Sequence, residues 1–117
     1  MRAALLALLA AIGPAADRVP DAIPAGKPRS CVPLAQIRNT LVRDDRTIDF
    51  VMTGKRVYRN VLPNGCPQLG FERRFTYTTS ISELCSSDII TVLLDPPLMR
   101  GPSCGLGQFQ PVTLAGR

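Results

Sequence analysis

Four cysteines, Cys31, Cys66, Cys85 and Cys104, carry the most reactive groups in this 117-residue chain. A thiolate can attack a carbonyl, ligate a metal or close a disulfide, and its surroundings decide which. The chain has no histidine, so neither a Cys-His nor a Ser-His-Asp nucleophile can be assembled within it. A zinc site needs clustered ligands, usually a C-x2-C pair or cysteines completed by histidine. The gaps here are 35, 19 and 19 residues. An even set of widely spaced cysteines in a short chain reads as two disulfides if the chain is exported, with free thiols as the alternative. Four cysteines allow three pairings. Cys85 and Cys104 bracket an apolar strand and its return, so the preferred pairing is Cys85 with Cys104 and Cys31 with Cys66. No metal and no cofactor is expected.

Arg56, Arg59, Arg73 and Arg74, with Lys55, form the other suggestive set, because Tyr58 and Phe75 lie among them. Arginines beside aromatics on a strand surface can hold an anion by charge and stacking. The plainer reading is a solvated basic face. Phe75 and Tyr77 alternate with Thr76 and are expected in the core, which leaves few rings to stack. Asp44, Asp45 and Asp49 could pair carboxylates for acid–base work or hold a hard cation. Asp44-Asp45-Arg46 fits a turn better, with aspartate accepting from its own backbone and Asp49 on a wet strand face. Ser86, Ser87 and Asp88 lack both a general base and a Gly-x-Ser-x-Gly elbow, so they read as a turn. Gly105-Leu106-Gly107 lacks the third glycine of a phosphate loop and reads as a tight bend or bulge.

Residues 1–16 decide the compartment. Arg2 is followed by ten uninterrupted apolar residues, Ala3 to Ile12, and then by Gly13-Pro14-Ala15-Ala16. A run of that length suits a signal-peptide core and is too short to cross a bilayer, which takes about 20 residues. Cleavage is expected after Ala15 or Ala16. Without Arg2 the balance is 13 basic residues against 9 acidic, net +4, which is modest for a nucleic-acid binder. No second segment is long and apolar enough to span a membrane. Residues 17–30 hold three prolines and a glycine without periodicity, the pattern of a flexible lead-in.

The elements that must carry these side chains are strands. Thr47 to Thr53 alternates, with Ile48, Phe50 and Met52 on one face. Gly54-Lys55 fits a two-residue hairpin turn, and Arg56 to Leu62 is its partner strand. Arg74 to Thr78 alternates, and Ile89 to Leu94 is a continuous apolar run of the kind buried on both faces. Ser80 to Glu83 matches a capping box for one helical turn. Gly101 to Gly107 reads as a loop and Gln108 to Leu114 as a last strand. Residues 31–114 thus form a single all-β domain, expected as a small antiparallel barrel or barrel-like sheet of five or six strands. An open two-layer sandwich is the second choice.

Several short motifs follow one another in order: Asp45-Arg46-Thr47-Ile48, Lys55 to Pro63, Cys66-Pro67-Gln68-Leu69, Phe75-Thr76-Tyr77, Leu84 to Asp88 and Cys104 to Phe109. Together they resemble a family of small exported bacterial proteins catalogued as a domain of unknown function. The resemblance covers about residues 31 to 113. It implies export and a cysteine framework and supplies no catalytic residue or ligand. The expected function is therefore a periplasmic or secreted, non-enzymatic β-domain that binds or supports an envelope component such as an envelope polymer. An accessory or inhibitor subunit docking on another exported protein is the alternative. A small hydrolase using Asp or Glu is a third reading.

Overall fold

The computed structural model describes residues 19–115; the export segment read in residues 1–16 lies outside them. The alternating stretch forms β4 (Thr47–Met52), with Ile48, Phe50 and Met52 all buried. β3 (Ile37–Val42) and β5 (Val57–Val61) flank it antiparallel. The loop closed between Met52 and Arg56 has three residues, not two. Met52 N–H donates to the Arg56 carbonyl, and Gly54 and Lys55 both take positive φ inside Thr53–Lys55. Gly54 can adopt that backbone without a Cβ penalty.

β10 (Phe109–Leu114) pairs with β5, and β1 (Ala22–Pro24) pairs with β10, so the sheet order is β1-β10-β5-β4-β3. Part of the expected lead-in is therefore an edge strand. Its register is set by Ala22 opposite Leu114 and Pro24 opposite Val112, and Arg29 bridges to Phe109. Proline tolerates this place because an edge strand leaves one side of its backbone unpaired.

A second sheet of order β6-β8-β9 contains β6 (Phe75–Tyr77), β8 (Ile89–Leu94) and β9 (Met99–Gly105). Most of the segment expected as a loop after Gly101 is thus strand. Ile90, Thr91 and Val92 are buried, whereas Ile89 is exposed, so β8 is enclosed only along its middle. β2 (Cys31–Pro33) and β7 (Glu83–Cys85) form a separate two-stranded ladder. The expected helical turn at residues 80–83 is absent, because Glu83 belongs to β7. The one α-helical turn among the described residues is α1 (Leu69–Glu72), whose Leu69 is fully buried.

The core lies between the five- and three-stranded sheets. Phe50 meets Phe109 of its own sheet edge to face at 5.3 Å and Phe75 of the other sheet at 6.5 Å between centroids. Val32 and Leu84 from the ladder, with Leu62, Leu69 and Leu106 from connections, complete it. The fold is all-β, antiparallel and disulfide-stapled. Its ten strands, among the described residues, sit in three sheets that do not close into a barrel.

The cysteine pairing differs from the preferred one. Cys31 bonds Cys85, and Cys66 bonds Cys104. Cys31 and Cys85 stand opposite each other on β2 and β7, with Cα atoms 4.0 Å apart. Ser86 N–H donates to the Ser30 carbonyl beside them, so theirs is a non-hydrogen-bonded pair, the position that brings cross-strand side chains closest. Cys85 takes Cys31 because the β2–β7 ladder sets the two opposite each other, and a tight turn at residues 85–88 separates Cys85 from β8, the strand that runs beside Cys104. Asp88 closes that turn, its Oδ2 accepting from Cys85 N–H at 2.7 Å. Cys104 sits opposite Ile90 on β9 and meets Cys66, which is buried just after β5. That bridge joins the two large sheets.

Candidate functional site

Each large sheet has a second face, turned away from the shared core. On the five-stranded sheet the period of two places Asp49 of β4 and Arg59 of β5 there, directly opposite one another. Asp49 is fully buried, contrary to the expectation of a wet strand face. Arg59 holds its carboxylate side-on: Nε donates to Oδ1 at 2.8 Å and Nη2 to Oδ2 at 2.9 Å. Arg43, just past β3, donates through Nε to Oδ2 at 2.8 Å. Arg59 Nη1 donates to the Pro20 carbonyl at 2.9 Å, which ties the N-terminal segment to this face. Burial alone would push the Asp49 carboxyl up. The hydrogen bonds and charges of Arg59 and Arg43 more than reverse that, so Asp49 titrates below its ordinary value. The Asp49 hydrogen bond and charge outweigh burial at Arg59, which is held protonated more firmly than usual.

The four arginines, read as a solvated basic face with an anion-binding surface as the alternative, have separate tasks. Arg59 is in the buried cluster. Arg56 Nη2 donates to Gln36 Oε1 at 3.0 Å, and Arg73 Nε donates to the Gly70 carbonyl at 3.2 Å. Arg74 Nη2 lies 3.4 Å from Glu72 and 3.5 Å from Asp95. A groove of about 480 Å³ does gather Arg43, Arg46 and Arg73, but with Asp44 and Asp45 among them. Asp44 accepts from Arg46 N–H and Asp45 from Gly70 N–H. Those two aspartates shape a turn, as expected, and dock it on α1.

A third hollow, about 380 Å³, lies over β1, β5 and β10. It is walled by Ala22, Pro24, Val61 and Val112, and its one charge, Arg59, already has three hydrogen bonds to Asp49 and Pro20. The bend at Gly107 is also structural. Buried Asn60 donates through Nδ2 to the Gly107 carbonyl at 2.7 Å and accepts from Gly107 N–H at 2.8 Å. A Cβ on Gly107 would run into the Val61 carbonyl oxygen.

The outer face of the three-stranded sheet is different in kind. Its groove, about 310 Å³, is lined by Thr76, Tyr77, Thr78, Ser87, Asp88, Ile89, Thr91 and Arg100. Pairing places Thr76 opposite Thr91 and Thr91 opposite Ser103, so three hydroxyls form a row across β6, β8 and β9. Thr91 Oγ1 and Ser103 Oγ are hydrogen-bonded at 2.8 Å. Arg100 has no hydrogen-bond or ion-pair partner among the described residues, unlike Arg43, Arg46, Arg56, Arg59, Arg73 and Arg74.

Arg100 is on this face because of a bulge. Strict alternation would send residues 103 and 100 to opposite faces. Between Thr91 and Leu93 the register slips by one, so that Arg100 stands opposite Leu93 while Ser103 stands opposite Thr91. Gly101-Pro102 occupies the slip, and Pro102 has no N–H to give the ladder. A bulge that re-aims a side chain is a recurring device beside functional sites.

No family model, curated protein or solved structure matches this chain. The site therefore rests on its own chemistry. Sequence reasoning missed Arg100 and the hydroxyl row, because Ser103 falls in the segment read as a loop and Arg100 lies just before it, in a stretch assigned to no element. The available signal was the alternation of Thr76 and Thr78 with Phe75 and Tyr77, which already marks a hydroxyl-bearing outer face on β6.

Proposed function

We propose that this protein is an exported, non-enzymatic binding domain that attaches to a component of the bacterial envelope. The observation that carries the reading is that all four cysteines are oxidised in two disulfides. Such bonds belong to oxidising, extracytoplasmic compartments. The signal-like residues 1–16 and the resemblance to small exported bacterial proteins support periplasmic delivery or secretion. Among the described residues no helix is long and apolar enough to cross a membrane.

Expression of the full chain in a bacterium, followed by fractionation and intact-mass analysis, tests this. The expected product begins near residue 16 or 17, has no titratable thiol, and crosslinks to envelope material. Recovery of the unprocessed chain from the cytosol with free thiols would sink the reading.

A second reading, an accessory or inhibitor subunit docking on another exported protein, is favoured by one feature. The β8–β9 tip exposes Leu98 and Met99, at 69 % and 53 % of their surface. Crosslinks from this tip to a single protein, lost in Leu98→Ser, would favour it.

A further inference from the structure

The geometry points to the outer face of the three-stranded sheet as a site for an acidic sugar polymer; this rests on the exported binding domain proposed above and names its ligand. Sugar hydroxyls both donate and accept hydrogen bonds, and side-chain hydroxyls do the same. Thr76, Thr91 and Ser103 stand in one cross-strand row. Neighbouring strands lie about 4.8 Å apart, close to the length of one pyranose in an extended chain. Thr76 in the groove and exposed Ser103 beside it stand at the two ends of the row, with buried Thr91 between them bonded to Ser103, so a polymer crossing the strands meets a hydroxyl at each end and Thr91 holds one of them in place.

Charge then selects among sugars. Arg100 is exposed, has no partner among the described residues, and is turned into the groove by the Gly101-Pro102 bulge. Its planar fork matches a carboxylate bidentately. Asp88 uses Oδ2 for the Cys85 N–H, and its Oδ1 faces no donor among the described residues, so it can accept from a sugar hydroxyl. Ile89, 56 % exposed, borders the groove and offers apolar surface to the C–H face of a ring. A carboxylated sugar satisfies all of these groups at once. A neutral glycan leaves Arg100 unpaired, and a plain polyanion leaves the hydroxyl row unused.

The test uses the exported, disulfide-bonded protein with two probes, oligogalacturonate and uncharged dextran, at physiological salt. The variants are Arg100→Ala, Thr91→Val and, as a charge control, Arg38→Ala, since Arg38 is exposed on β3 and makes no hydrogen bond or ion pair among the described residues. The expected result is binding of oligogalacturonate and not dextran. Arg100→Ala should weaken it about tenfold or more, as the loss of a hydrogen bond to a charged group implies. Thr91→Val, which keeps shape and removes the hydroxyl, should weaken it several-fold, and Arg38→Ala should leave it unchanged.

Equal losses in Arg38→Ala and Arg100→Ala would overturn the site as non-specific charge attraction. Dextran bound as well as oligogalacturonate would overturn the acidic ligand, and no binding of either would overturn both. Retention on isolated envelopes separates this inference from its parent. If Arg100→Ala and Thr91→Val are retained like the unaltered protein, the groove assignment fails and the envelope-binding reading stands. If the unaltered protein is not retained, the parent reading fails.

Discussion

On the five-stranded sheet, the face turned away from the core carries Asp49 between Arg43 and Arg59. On the three-stranded sheet, the corresponding face carries Thr91, Ser103 and Arg100. Both put polar groups where a sandwich of this size has no apolar layer to cover them. In the first, a fully buried carboxylate takes three hydrogen bonds from two guanidiniums. In the second, the arginine has no carboxylate within reach of a salt bridge among the described residues, and the hydroxyls bond only one another. A charge locked to its counter-charge can hold strands in register but has little left for a ligand. The difference between the faces thus separates a structural use of arginine from an available one, which composition alone cannot do.

The largest test of this contrast concerns what holds the two faces back to back. The Cys66–Cys104 bridge closes a span of 38 residues between the sheets. Replacing both by Ala is expected to cost about 4 kcal/mol by the chain-entropy relation, a large share of the ordinary 5–15 kcal/mol for a domain. Urea unfolding measures it. A loss confined to the three-stranded sheet in hydrogen exchange, with the Asp49 cluster still protected, would show that the faces are independent units.

Next comes Asp49→Ala. It would leave two guanidiniums facing each other across an emptied site. Breaking a buried ion pair costs about 3–5 kcal/mol, and the partly exposed arginines place this one near the lower figure. A drop in melting temperature checks it. No drop would mean that the cluster is an incidental surface arrangement and that the contrast between the faces is false.

The cluster also predicts an acid sensitivity. Asp49 titrates lower in the folded protein than in the unfolded chain, where aspartate lies near about 3.9. The stabilisation it gives is fully present above that unfolded value and is lost as pH falls through the folded one. Denaturation midpoints should therefore hold from neutral pH down to about pH 5 and fall below about pH 4. Asp49→Asn should flatten that part of the profile. An unchanged profile in Asp49→Asn would assign the acid loss to other carboxylates.

Much of this architecture can be read from the chain. The alternation of Ile48, Phe50 and Met52 specifies β4 and its core face, and Phe75 with Tyr77 specifies β6. The even cysteine count specifies two bridges. The pairing of the bridges was not legible, because it depends on β2 laddering with β7 across 54 residues of sequence. A preference for the sequence-neighbouring cysteines cannot see that. Asp49 looked wet because a charged residue at an alternate position normally faces solvent. Its burial depends on Arg59 ten residues on and on Arg43, neither of which the pattern singles out as a partner. At Arg100 the period itself fails, since a one-residue bulge inverts the face of everything on one side of it.

The smallest expected effect is the sharpest statement of the contrast. Arg100→Ala should change folding stability by no more than about 0.5 kcal/mol, the usual range for a surface side chain without partners. Arg59→Ala, in the same assay, should be strongly destabilising, because it strips two hydrogen bonds from a buried carboxylate and one from the Pro20 carbonyl. Urea midpoints of the two variants measured side by side decide the matter. Two similar losses would mean that Arg100 has a structural partner after all, and the groove would then lose its one available positive charge. A loss in Arg59→Ala alone would leave Arg100 as a side chain that the fold positions without needing it, which is what a ligand-binding residue must be.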